Sequence, residues 1–248
     1  MQSLDEFYTT QLGRYALAWE QLQFDKLVTD CFGYYALQLG ASSVDFLRNS
    51  RINNKIIGEE SFLPLTQIRG GNRSRIGLLY DELPFESESI DLVILPHTLE
   101  VAIDPHAVLR EVYRVLIPNG RLILTGFNLI SLWGMRYQLQ KFGAKPFLPG
   151  RQFISVFQMK DWLHLLSMSV DRGIFGGYRS TLSVEKMRSD SWIEKAGDRW
   201  WPQCGSLYAL SAKKVLPGTK FVGKAINKKN FLFGTRANIN NLKDRVEE

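Results

Sequence analysis

Three stretches of the chain place residue types where they could do chemistry. Gly40-Ala41-Ser42 follows the apolar run Tyr34–Gly40. A tight strand-to-helix turn there would let the backbone approach a nucleotide-type cofactor. Glu60 follows the short apolar run Lys55–Gly58, and Tyr80 closes Arg75–Tyr80. His97 directly follows Ile90–Pro96 and is the one side chain at a strand exit that titrates near neutral pH, so it is the available general base. Each has a plainer reading beside the chemical one. Gly40 and Ser42 could form a bare turn, Glu60 a solvated acid, and His97 a satisfied histidine at a helix start. His106 reads as a surface residue and His164, among leucines, as core packing. Gly70-Gly71 with Arg69, Arg73 and Arg75 lacks the spacing of a phosphate loop and reads as an exposed basic loop. Cys31 and Cys204 cannot build a metal cage or a disulfide framework unaided, so no metal site is expected.

The elements that must position these residues are legible from periodicity. Leu4 to Phe32 has helical spacing, with Leu12, Tyr15, Ala16, Trp19, Leu22, Leu27 and Cys31 on its apolar side and Gly33 as its stop. Ser43 to Arg48 could form a helical turn. Asp104-Pro105 opens a second helix, with Asp104 as N-cap and Val108, Leu109, Val112 and Leu116 as its stripe. Pro118-Asn119-Gly120 turns the chain into Arg121–Thr125, a further strand. Gln158 to Leu166 is an amphipathic helix, and Val170–Phe175 and Leu207–Ala212 read as closing strands. Strand, helix and strand alternation of this kind predicts an α/β fold: a Rossmann-like, doubly wound, mostly parallel sheet of seven strands with an N-terminal helical segment. Ligands in such sheets bind beyond the carboxyl ends of the strands. That rim would carry Gly40, Glu60, Tyr80, Pro96-His97 and Gly126–Asn128.

The run from Leu83 to Asn128 (LPFESESIDLVILPHTLEVAIDPHAVLREVYRVLIPNGRLILTGFN) resembles the core of the class I, type-11 S-adenosylmethionine-dependent methyltransferases. Shared features are LPF, an acidic-polar turn, a DLV strand, a His-x-Leu-Glu segment, a DP-capped helix ending RVL, and a GRLxI strand. Flanking residues resemble an uncharacterised bacterial subgroup: Gly13-Arg14-Tyr15, Gln38-Leu39-Gly40, Gly126-Phe127-Asn128, Asp161-Trp162-Leu163 and Trp200-Trp201-Pro202. The resemblance implies S-adenosylmethionine as cofactor and an unidentified methyl acceptor. It implies a glycine motif at Gln38–Val44, where only Gly40 of the glycines is present, Gln38 replaces an acid, and Val44 replaces a glycine. It places Gln38, Gly40 and Ser42 at the first cofactor contact and Glu60, twenty residues after Gly40, on the ribose hydroxyls, with Glu59 as the alternative. Near the adenine it places Leu79, beside Tyr80, with Asp81 as the nearest acid; Pro96 and His97 would line the methionyl end. The acceptor could be a small molecule, a lipid quinone, a protein or RNA, and no catalytic residue is assigned.

Composition bounds the rest. A chain of 248 residues, 45% hydrophobic and 23% charged, suits one globular domain rather than a fibrous or disordered protein. No apolar stretch is long enough to span a bilayer and the first ten residues are acidic and polar, so a cytoplasmic bacterial protein is expected. From Lys213 onward nine basic residues face three acidic ones, which accounts for the whole formal charge of +6. The expected division is therefore a domain over 1–214 and a basic, flexible tail over 215–248. Nucleic acid is a candidate partner of that tail, although a solvated tail is the plainer reading. Trp192, Trp200 and Trp201 are expected to pack against the sheet rather than line a pocket. The alternative to an enzyme is a catalytically inactive protein of this fold that serves as a binding module, a reading suggested by Gln38, Val44 and Leu79.

Overall fold

The computed structural model describes residues 4–60, 68–70, 73–139, 148–149, 152–179 and 199–215. They lie within the first of two compact units, Met1–Pro217; the second, Gly218–Glu248, falls outside the described residues, as do Trp192 and Gly71.

In chain order the elements are α1 (Leu4–Thr9), α2 (Gln11–Thr29), β1 (Tyr35–Leu39), β2 (Asn54–Glu60), β3 (Ile68–Gly70), β4 (Arg73–Leu78) and β5 (Ile90–Pro96). Then follow α3 (Thr98–Val101), α4 (Pro105–Val115), β6 (Leu116–Phe127), α5 (Leu132–Leu139), α6 (Val156–Leu165), β7 (Met168–Gly176), a 3-10 turn (Pro202–Cys204) and β8 (Leu207–Lys214). All eight strands form one sheet in the order β3-β4-β2-β1-β5-β6-β8-β7. The pairs β4-β2, β2-β1, β1-β5 and β5-β6 are parallel, whereas β3-β4, β6-β8 and β8-β7 are antiparallel. The seven expected strands are present, and the eighth is the three-residue edge strand β3. Arg69 and Arg73 thus belong to an antiparallel pair and not to the expected open basic loop. Strand order reverses between β1 and β5, which makes their carboxyl ends the crevice of the sheet.

Parallel strands sandwiched between helices must be apolar on both faces, and alternate side chains serve the two sides. Leu37, Val93, Leu95, Leu122 and Leu124 join Val108, Leu109 and Val112 of α4 and Met159 and Leu163 of α6. Ala36, Leu92, Ile94 and Ile123 join Phe7 and Leu12 of the N-terminal helices, with Ala16, Phe24 and Trp133. The N-terminal segment is two helices rather than one. Thr10 breaks it by accepting from Gly13 N–H at 2.9 Å as the N-cap of α2. A Cβ on Gly13 would lie 1.9 Å from the Phe7 carbonyl oxygen, so the corner needs glycine there. Leu22, expected on the apolar stripe, is 51% exposed, and Ser43–Arg48 forms turns without a helix. The turn at Pro118–Gly120 is absorbed into β6, where Asn119 takes a left-handed φ of 66°.

The α4 helix shows why LPF and the REVYRVL run travel together. Asp104 caps α4 by accepting from His106 N–H at 2.9 Å and Ala107 N–H at 3.0 Å. About two and three turns later the same helix grips the LPF segment. Arg114 donates to the carbonyls of Leu83 and Phe85, both at 2.9 Å, and Glu111 accepts Leu83 N–H at 3.0 Å. Glu111 and Arg114 also pair with each other at 2.8 Å. Lysine has no planar fork and cannot serve both carbonyls and the carboxylate together. Arg114→Lys should therefore lower unfolding free energy by about 1–2 kcal/mol, read from the shift of the urea midpoint at constant slope.

Candidate functional site at the carboxyl ends of the strands

The crevice is built from the ends of β1, β2, β4 and β5. Gly40 leaves β1 with φ of +85°, and Ala41 follows with φ of 48°. Two consecutive left-handed residues need support, and Gln38 supplies it. Its Nε2 donates to the carbonyls of Gly40 (3.1 Å), Ala41 (3.1 Å) and Val44 (2.7 Å), while Oε1 accepts Phe46 N–H at 3.1 Å. Its side chain is buried and entirely committed to its own loop, so Gln38 positions the loop instead of offering a group to a ligand. Ser42 is 9% exposed, and Val44 packs partly buried against the helical side of the core.

Gly40 faces the neighbouring strands closely. A Cβ on it would lie 3.0 Å from Thr98 Oγ1 and 3.6 Å from the Tyr80 hydroxyl oxygen. Thr98 donates its hydroxyl to the Leu39 carbonyl, across the β1–β5 junction. Tyr80 accepts Glu60 N–H at 3.2 Å and so fastens the end of β2 to the end of β4. Burial raises the Tyr80 phenol well above its ordinary range, so it stays protonated.

Beside these contacts opens a cleft of about 110 Å³ lined by Glu60, Leu79, Tyr80, Asp81, Ala102, Ile103, Asp104 and Val108. Its walls are apolar, and the carboxylates of Glu60, Asp81 and Asp104 stand exposed around it. The structure thus brings Glu60, Leu79, Tyr80 and Asp81 together, with Gly40 next to Tyr80. Pro96 is buried within the sheet.

His97 differs from its expectation as a rim base. It is 1% exposed and lies stacked on Phe127 with ring centroids 4.0 Å apart. Nδ1 contacts Glu100 Oε2 and Nε2 contacts Glu20 Oε1, each at 2.6 Å. Burial alone would lower its pKa, but Glu20 and Glu100 outweigh it and push the value up to about 10. An imidazole with both nitrogens engaged offers no lone pair to a substrate. Its backbone is left-handed, with φ of 53°, and this conformation is held by the two carboxylates. Tyr8, Glu20 and Glu100 were not singled out from sequence. The available signal was spacing: Glu20 sits on the i+4 row Leu12, Ala16, Glu20, Phe24, where an acid must be partnered. Glu100 lies one helical turn after His97.

The other expectations divide. His106 is exposed, as expected, with its ring 3.8 Å from that of Trp162. His164 is exposed at the end of α6, because Met159 and Leu163 take the buried face. Trp200 and Trp201 are 69% and 63% exposed and do not pack against the sheet. Among the described residues no cluster of three His, Cys, Asp or Glu could hold a metal ion, and no helix is long and apolar enough to cross a membrane.

Comparison with known proteins adds a family context. Residues 61–124 match the type-11 methyltransferase-domain family. The chain is 42% identical over 88 residues to the uncharacterized protein YafS of Escherichia coli K12, a match covering 36% of each chain. It is 32% identical over 83 residues to the demethylmenaquinone methyltransferase of Lactococcus lactis subsp. lactis, covering 33% of this chain and 32% of the relative. The chain thus spans about a third of the length of the curated relatives it matches. Among solved structures, a Haloferax volcanii complex of the Trm112 methyltransferase activator with a methyltransferase matches with TM-score 0.59 and 14% identity, over 87% of this chain and 99% of the other. An S-adenosylmethionine-dependent methyltransferase of Thermotoga maritima matches with TM-score 0.56 and 16% identity, over 85% and 99%. The [4+2]-cyclase SpnF matches with TM-score 0.53 and 14% identity, over 79% and 80%. At these identities the structures share a fold, and a fold does not fix a reaction.

Proposed function

We propose that this chain, whose residues 61–124 match the type-11 methyltransferase-domain family and whose fold is shared with S-adenosylmethionine-dependent methyltransferases, transfers a methyl group from S-adenosylmethionine to an acceptor. The observation that carries this reading is the cleft at the carboxyl ends of β2 and β4, beside the β1–β5 reversal. Its chemistry fits the adenosyl half of the cofactor. Leu79, Ile103 and Val108 offer apolar walls to a flat base. The Glu60 carboxylate at the end of β2 is free to accept from ribose hydroxyls, and Asp81 is placed to accept from an exocyclic amine. At Gly40, close backbone approach needs a residue without a side chain. When bound, the cofactor would supply an activated methyl on a sulfonium, so little covalent chemistry is asked of the protein. The chain's own residues hold the loop (Gln38), tie β2 to β4 (Tyr80), and keep water from the β5 exit (Pro96, His97 and Phe127, all buried). No described side chain at that exit acts as a base, which suits an acceptor that is already nucleophilic.

Calorimetric titration with S-adenosylmethionine and S-adenosylhomocysteine tests the reading. Binding is expected, and Glu60→Ala should weaken it about 10- to 100-fold through the lost charged hydrogen bonds. The absence of both heat and thermal shift at millimolar ligand would overturn it.

A second reading, a binding module on an inactive scaffold, is favoured by Gln38, whose amide is spent wholly on its own loop. It expects partner binding to survive Glu60→Ala and no ligand response from the parent protein. A basic segment after Lys214 that docks nucleic acid would show a salt-sensitive RNA affinity, abolished by truncation there.

A further inference from the structure

Behind the β1–β5 junction lies a polar cluster whose charge has no task in the reading above. His97 bridges Glu20 and Glu100 at 2.6 Å each, and the Tyr8 hydroxyl donates to Glu20 Oε2 at 2.6 Å. The remaining carboxylate oxygen, Glu100 Oε1, accepts Phe127 N–H at 2.7 Å. Each of the three contacts between side chains needs one proton. Two carboxyls, a phenol and an imidazole sharing three such protons carry one net negative charge, wherever along each contact the proton sits. All four side chains are buried. Among the described residues no lysine or arginine pairs with either carboxylate; the imidazole is their common partner. An unbalanced charge held out of water is costly, and a nearby cation lowers that cost. The cluster adjoins the crevice directly. Thr98, the residue after His97, stands against Leu39 and Gly40.

We infer that the buried Tyr8–Glu20–His97–Glu100 charge makes the β1–β5 junction select a cationic ligand group. On the methyl-donor reading, on which this rests, the junction prefers the sulfonium cofactor over its neutral thioether product. Glu20 and Glu100 are then specificity-determining residues that act without touching the ligand.

The test compares affinities for S-adenosylmethionine and S-adenosylhomocysteine by calorimetry. The parent protein should favour the sulfonium by about tenfold, the size expected for one charge acting through a partly buried medium. Glu20→Gln combined with Glu100→Gln leaves a neutral imidazole between two amides, removes the charge at nearly constant shape, and should erase the preference while leaving thioether affinity in place. Tyr8→Phe removes a hydrogen bond but no charge and should keep the preference. If that variant does not fold, Glu20→Met combined with Glu100→Gln removes both carboxylates by another route. A parent protein that binds the thioether as tightly as the sulfonium overturns the inference, as does a preference that survives in a folded variant lacking both carboxylates. A parent protein that binds neither ligand overturns the methyl-donor reading together with it.

Discussion

His97→Ala should lower the free energy of unfolding by about 3–5 kcal/mol, because it leaves Glu20 and Glu100 buried without their shared partner. Against a typical domain stability of about 5–15 kcal/mol, this is a large fraction of the whole. The measurement is guanidinium denaturation at neutral pH, and a loss under about 1 kcal/mol would show that the two acids do not need the imidazole. His97→Gln keeps one donor and should lose less. The same residue gives the fold a dependence on alkali. Its folded pKa is raised from the ordinary 6.5 to about 10, by Glu20 and Glu100 against the opposing effect of burial. The unfolded chain releases the proton first, so the stabilisation is full below about 6.5 and disappears as pH rises towards about 10. A urea series across that window should show the midpoint falling for the parent protein and staying flatter for His97→Gln.

Gln38→Glu is the second large effect and runs against intuition, since it restores the acid that the family pattern has at this position. Here three carbonyls converge on the Gln38 amide nitrogen. A carboxylate has no proton for any of them and would place a charge against their negative ends, in a site with no access to water. A loss of about 2–4 kcal/mol at neutral pH is expected. Burial would raise the new carboxyl above its ordinary value of about 4.3. The defect should therefore be mildest in acid and grow as pH rises, which a thermal-unfolding series from acid to neutral would read. A variant as stable as the parent would mean that the loop can turn its N–H groups inward, as an acid at this position demands.

These two sites mark the limit of what the chain discloses on reading. The strands of the parallel core were legible because burial on both faces writes continuous apolar runs such as Ile90–Pro96. The start of α4 was legible because Asp104-Pro105 is a local signal with a local cause. Glu60, Leu79, Tyr80 and Asp81 were placed together because the ends of parallel strands share one edge. What failed was long-range polar pairing. Nothing in the sequence links Glu20 to His97, 77 residues away, because only the packing of α2 on the sheet brings them together. The same holds for His164: an alternating Leu-His-Leu-Leu stretch does not say which turn of α6 faces the core. Gln38 reads from sequence as a neutral replacement for an acid at the cofactor contact, because a sequence shows which residue is absent and not which carbonyls have turned inward.

Among the described elements β8 comes last, yet it lies between β6 and β7, inside the sheet and not at its margin. During synthesis β7 emerges with no neighbour to bond, and one edge of β6 stays open until Leu207–Lys214 leaves the ribosome. Between the emergence of β6 and that of β8 the nascent chain therefore carries a bare strand edge on β6, joined later by those of β7, a span in which it invites mispairing or chaperone capture.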